Sequence, residues 1–340
     1  MYIPNSAWTW SFFMVAVVQA VIGLALERFQ LSLENRADQE AQSRTIPTYL
    51  ALFIFGFLYE FYPLYDALKY NNTIQVIGIC FFNLALLIYA GVQTDQIKDA
   101  VLSLQDQPNG PFIKGGVWAD LKPFLIAVPC VIALGTVLLS FIAWKLYDEF
   151  AWTIYKDISA DLRMKRRYLV FQIYRALLKF DFFFFLGFTV QFLVVVGNTR
   201  AIEFWLTIAA IPITIIILVL ADYWTKHEST TGMISIITLY FAALAYFLFK
   251  LVRMYDTSTQ SGRDRVADYK PARRSLTTFA VITVLLLLVT IANACWCTSN
   301  FGKGLKSHVV KRKIVSQDGK SDYAESAHPL GQVPSRMTID

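Results

Sequence analysis

The residue best placed to do chemistry is Glu60, the one carboxylate well inside a long apolar stretch, Phe57-Leu58-Tyr59-Glu60-Phe61-Tyr62-Pro63. Taking such a group out of water costs roughly a few kcal/mol unless it is protonated or paired, which makes an intramembrane acid a default candidate for a ligand or proton site. Pro63 has no N–H to give the Tyr59 carbonyl, so a kink and a spare acceptor are expected beside the acid. Polar residues inside other apolar stretches could meet it: Gln19, Asn83, Gln191 and Asn293. The same residues also fit a hydrogen-bonded packing contact, or a shorter span that leaves Glu60 near the interface. These two readings outweigh a site, because a transport pathway needs more than one such group. Asp181, in Lys179-Phe180-Asp181-Phe182, stands at a span entrance and reads as interfacial, able to pair with Lys179 or Arg175.

A second set of charges lies outside the apolar stretches. Arg163, Lys165, Arg166 and Arg167 cluster in residues 159–167, between two segments with helical periodicity. Tyr147, Ala151, Ile154, Ile158 and Leu162 recur before the cluster, and Tyr168, Phe171, Tyr174 and Leu178 after it. This predicts a helical hairpin reaching past the bilayer with a basic tip. Such a tip can hold a cytoplasmic protein partner or anionic lipid, each cation near a negative surface contributing about 1 kcal/mol. Alternatively it is a topology signal on a solvated face, the reading slightly favoured. Cys295 and Cys297, followed by Lys303, Lys306 and Lys311-Arg312-Lys313, are candidates for S-palmitoylation, with plain packing at least as good a reading.

The search for a catalytic centre returns no candidate residues. His227, His308 and His328 are scattered, and neither HExxH, a phosphate-binding G-x-x-x-x-G-K-S/T nor G-x-S-x-G occurs. No grouping has metal-ligand spacing, so neither metal nor cofactor is expected. The net charge of +6 comes from basic residues beside apolar segments, which does not suggest nucleic-acid binding.

The elements that position these groups follow from composition. Of 340 residues, 56% are hydrophobic and 16% charged, with mean hydropathy +0.47. Soluble domains carry about a quarter charged residues, so this balance excludes disordered and disulfide-scaffold classes and points to lipid. Apolar blocks lie near 8–26, 47–68, 73–94, 123–145, 180–198, 201–222, 233–253 and 276–298. Each has about the 20 residues that cross a bilayer as helix. The expected fold is an all-α polytopic transmembrane bundle over residues 1–300. It has about eight spans, or seven if the first is a cleaved signal, and a helix 4–helix 5 extension. A basic and then polar, disordered tail is expected over 301–340. The positive-inside rule favours both termini in the cytoplasm by a narrow margin, with Arg263, Arg265, Lys270, Arg273 and Arg274 against it.

Four blocks carry a resemblance. They are Thr45-Ile-Pro-Thr-Tyr-Leu-Ala-Leu-Phe-Ile-Phe-Gly-Phe-Leu-Tyr-Glu60, the run from Ala151 to Arg167, the run from Leu177 to Phe192, and Pro271 to Thr283. Together they resemble a fungal family of uncharacterised multi-pass Golgi apparatus membrane proteins, from about residue 8 to about residue 306. The resemblance implies a Golgi membrane setting and brings no catalytic residue with it. The leading functional expectation is a non-enzymatic sorting, scaffold or receptor-like component acting through the hairpin. The alternative is a small-solute or proton-coupled transporter using Glu60. Oligomeric state is not legible in the sequence.

Overall fold

In hydrocarbon a backbone must satisfy its own hydrogen bonds, and the long apolar blocks do so as helices. The computed structural model describes residues 6–37, 45–105, 117–157, 162–195, 201–256 and 273–302. Among them are eight helices long and apolar enough to cross a bilayer, and no strand. They are α1 (Ala7–Ala37), α2 (Thr45–Lys69), α3 (Thr73–Gln105), α4 (Val117–Asp157), α5 (Leu162–Val195), α6 (Ala201–Lys226), α7 (Thr230–Arg253) and α8 (Arg273–Ser299). The protein is an all-α, multi-pass membrane bundle. The disordered-tail expectation, apart from residues 301 and 302, lies outside the described residues, as do positions 159–161 of the hairpin tip and Arg263, Arg265 and Lys270.

The helices form two sets of four. In the first, α1 packs on α2 and α4, and α3 on α2 and α4; in the second, α5 packs on α6 and α8, and α7 on α6 and α8. Each set is therefore an up-and-down ring in which chain neighbours are spatial neighbours. The rings meet where α2 and α3 lie against α5, and α3 against α8.

The tight turns between the second and third helix of each ring are built alike. Asn71, at φ 48°, ends α2 in the left-handed region. The Asn72 N–H then bonds the Ala67 carbonyl at 2.8 Å and the Asn71 N–H bonds Leu68 at 3.4 Å. Glu228, at φ 51°, does the same after α6, with Ser229 N–H to Trp224 at 3.1 Å and Glu228 N–H to Thr225 at 3.3 Å. Both are paired C-terminal caps that occupy otherwise orphaned carbonyls. Ser229 then caps α7, its hydroxyl accepting from the Gly232 N–H.

Helix α5 is the centre of the fold. Its string Phe182-Phe183-Phe184-Phe185 would be wasteful on a helix with one buried face, yet Phe180, Phe183, Phe184, Phe185, Phe188 and Phe192 are all buried. Phe183 stacks on Phe55 (5.5 Å between centroids) and meets Phe82 edge-on (4.8 Å); Phe185 stacks on Phe247 (5.2 Å). Rings of one helix thus pack against both sets of four. Outward positions on the other helices are apolar instead, including Phe81, Leu134, Val137, Trp205 and Val252. Polar side chains inside and large apolar ones outside is the pattern of a protein surrounded by lipid.

The hairpin expectation needs a revision of its second arm. Residues 148–157 and 162–175 are helical, but the α5 arm does not stand apart from the bundle. Val170 and Phe171 are buried with Cys297 of α8, and Tyr174 bonds Tyr240 of α7 at 3.1 Å. The apolar span of α5 runs over Lys165–Leu193, starting earlier than the expected 180.

Candidate functional site

Three helices deliver the groups around Glu60. Gln19 comes from α1, Glu60 from α2 and Asn83 from α3, and all three are buried. The Asn83 amide nitrogen donates to Glu60 Oε1 at 2.5 Å, and the Gln19 amide nitrogen donates to Asn83 Oδ1 at 2.5 Å. A chain of two interhelical hydrogen bonds therefore ties α1 to α3 and α3 to α2. Its geometry needs a gap on α4. A Cβ at Gly135 would stand 1.8 Å from Gln19 Oε1, so only glycine leaves room for the end of that side chain.

The expected polar set is only partly brought together. Glu60 and Asn83 meet, but Gln191 donates from its Nε2 to the Tyr89 hydroxyl at 2.6 Å, joining α5 to α3. Asn293, nearly buried on α8, makes no hydrogen bond to Glu60 among the described residues. One turn on from Glu60, the Pro63 carbonyl accepts from the Gln75 amide at 2.6 Å.

Glu60 is not the one buried acid. Asp181 has no exposed surface and accepts from the Thr290 hydroxyl at 2.8 Å. The interfacial reading of Asp181 fails because α5 continues for some 19 residues on its N-terminal side. That places 181 at mid-helix instead of at an entrance. The expected partners of Asp181 are engaged elsewhere. Lys179 forms an ion pair with Asp66 of α2 and donates to Gln75 at 3.1 Å; Arg175 pairs with Asp222 of α6 at 3.0 Å. Glu27 is the third buried acid, on the face that carries Gln19 and Gly23 at four-residue spacing. That spacing was the available signal; it is hidden if the span is taken to stop at residue 26. Lys250, inside the expected 233–253 span, is buried in the last turn of α7 with its ammonium 3.9 Å from the centre of the Phe192 ring.

The remaining candidates lie at the end of the bundle where α5 begins. Arg163 and Arg166 are exposed, and Lys165 and Arg167 are half-buried, all within the first two turns of α5. Of the two cysteines proposed for acylation, Cys295 faces outward and Cys297 is packed beneath Val170 and Phe171.

Comparison with known proteins agrees with this architecture. The chain is 38% identical over 282 residues to a UPF0658 Golgi apparatus membrane protein of Schizosaccharomyces pombe, covering 78% of each chain. The chain belongs to the UPF0658 family. No protein-family model matches it, and no solved structure does. This UPF0658 chain is thus a multi-pass Golgi apparatus membrane protein, in keeping with its eight lipid-compatible helices. Within the described residues, no group of three or more His, Cys, Asp or Glu could hold a metal ion.

Proposed function

We propose that this protein is a non-enzymatic sorting, scaffold or receptor-like component of the Golgi membrane, which docks a cytoplasmic partner at the start of α5. The observation that carries the reading is the placement of Arg163, Lys165, Arg166 and Arg167 at the start of α5. A helix N-terminus is the positive end of the macrodipole, where each cation is disfavoured by about 0.3–1 kcal/mol. Four cations held within two turns, with Arg163 and Arg166 exposed, nevertheless make a concentrated positive surface for an acidic partner. The same helix is the central one of the fold, so a partner bound at its start acts on a rod packed against both rings.

The interior supports a structural use of the polar groups. Asn83 bonds both Glu60 and Gln19, Gln191 bonds Tyr89 and Asp181 bonds Thr290. Each pair links different helices, the ordinary use of such residues in a bilayer.

The test is replacement of Arg163, Lys165, Arg166 and Arg167 together by Ala. The variant is expected to insert normally while losing either its Golgi distribution or the proteins recovered with it by crosslinking in cells. Unchanged distribution together with unchanged crosslinked partners overturns the proposal. Loss only of binding to anionic vesicles, with partners retained, assigns the cluster to lipid instead and also overturns it.

A further inference from the structure

Away from the Glu60 chain, α1, α2, α3 and α4 line a small crevice, roomy enough for about one water-sized particle, toward the end of the bundle opposite the start of α5. Its polar groups are Glu27 of α1, Gln93 and Thr94 of α3, and the backbone of α4 near Leu125 and Pro129; the rest of the lining is apolar. Among the described residues, no Lys, Arg or His lines it.

The crevice gathers more acceptors than the described residues supply with donors. Glu27 is 1% exposed and Gln93 is 3% exposed. Glu27 Oε2 and Gln93 Oε1 are both buried with no hydrogen-bond partner. Pro129 adds another acceptor, because it has no N–H for the Leu125 carbonyl four residues back. The Thr94 hydroxyl lies 3.2 Å from that carbonyl and 2.9 Å from the Ala90 carbonyl, with one hydrogen for the two. Buried acceptors left unmatched cost about 1–3 kcal/mol each, and native structures rarely gather several in one place without a ligand.

We propose that Glu27, Gln93, Thr94 and the Leu125 carbonyl bind one small monovalent cation, of the sodium type, at the junction of α1, α3 and α4. Carboxylate, amide, hydroxyl and carbonyl oxygens are the ligands of hard cations. The single formal negative charge matches an ion of charge +1. The crevice leaves space for a particle about as large as one water, which excludes an organic cation. Bound there, the ion joins three helices of the first ring, so its role is structural. This inference is independent of the partner-docking reading, since it concerns the opposite end of the molecule.

The experiment is thermal unfolding of the purified full chain in detergent or nanodiscs. NaCl is titrated against choline chloride at constant ionic strength and pH, with LiCl, KCl and CaCl2 as further arms. The unfolding midpoint is expected to rise saturably with sodium, by about 2 °C at tenfold excess over Kd, and not with choline. Glu27→Gln should abolish the sodium response. Gln93→Leu, which keeps the charge, should weaken the apparent affinity by about tenfold or more. Glu60→Gln, outside the crevice, should respond as the wild type does. Superimposable sodium and choline curves for the wild type overturn the proposal and leave water as the occupant. So does a Glu27→Gln response equal to wild type, and so does a larger calcium than sodium effect.

Discussion

Gln19 Oε1 occupies the space that a side chain on Gly135 would need, 1.8 Å from where its Cβ would stand. The contact joins α1 to α4 and, through Asn83 and Glu60, sets the position of a polar chain that runs across three helices. A residue with no side chain is thereby part of the arrangement around the intramembrane acid.

Gly135→Ala should push Gln19 aside and free the Asn83 carbonyl oxygen, at an overpacking cost of about 1–3 kcal/mol. The double variant Gly135→Ala with Gln19→Ala should recover part of that loss, since the clash is gone. Thermal unfolding of the four proteins of this cycle in detergent measures it. Equal losses with and without Gln19 would show that the close approach is not what the glycine serves.

Glu60→Leu removes the acceptor for the Asn83 amide and leaves a buried donor unmatched, which should destabilise by about 1–3 kcal/mol. Glu60→Gln keeps a carbonyl oxygen in the same place and should lose less than half as much. The comparison is made by the same unfolding assay, with delivery to the Golgi as a second readout. A Leu variant as stable as wild type would remove the chain from any account of how α1, α2 and α3 are held.

Arg175 and Lys179, four residues apart on α5, each take an aspartate near the end of a different helix: Asp222 of α6 and Asp66 of α2. One stripe of the central helix therefore clamps both rings at the same end. The partly buried Lys179–Asp66 pair should show a coupling of about 1 kcal/mol in a Lys179→Met, Asp66→Leu double-mutant cycle. The more exposed Arg175–Asp222 pair should show less, and should weaken further at high salt. Additive single variants at the Lys179 pair would count against the clamp.

Cys295 and Cys297 differ in access although two positions separate them. In a background with Cys80 and Cys130 replaced by Ala, a membrane-permeant maleimide should label Cys295 at least about tenfold faster than Cys297. Mass-shift labelling of that background carrying in addition either Cys295→Ala or Cys297→Ala, so that one cysteine remains, reads the rates. Palmitoylation, if the cell applies it here, should then be lost with Cys295→Ala and kept with Cys297→Ala. Equal labelling rates would contradict the packing of Cys297 against Val170 and Phe171.

Much of the architecture was legible along the chain. Runs such as Ile213–Leu220 and Val284–Val289 must be helical in lipid because no other open structure satisfies the backbone there, so eight spans follow from local composition. Asn83 and Gln19 could be named as partners for Glu60 because few polar residues lie in those spans. The burial of Glu27 and Asp181 was harder to see, because a hydropathy block ends at the first charge, whereas a helix continues until its backbone is capped.

Sequence alone determined that this is an all-helical membrane protein and which residues are too polar to face lipid, since both depend on the cost of unmet hydrogen bonds in hydrocarbon. Only the tertiary structure decided the pairing: Asp181 with Thr290, Lys179 with Asp66, Gln191 with Tyr89, and Gln19 against Gly135. Which helix faces lie together is set by packing among residues tens to a hundred or more positions apart, and no local periodicity encodes that choice.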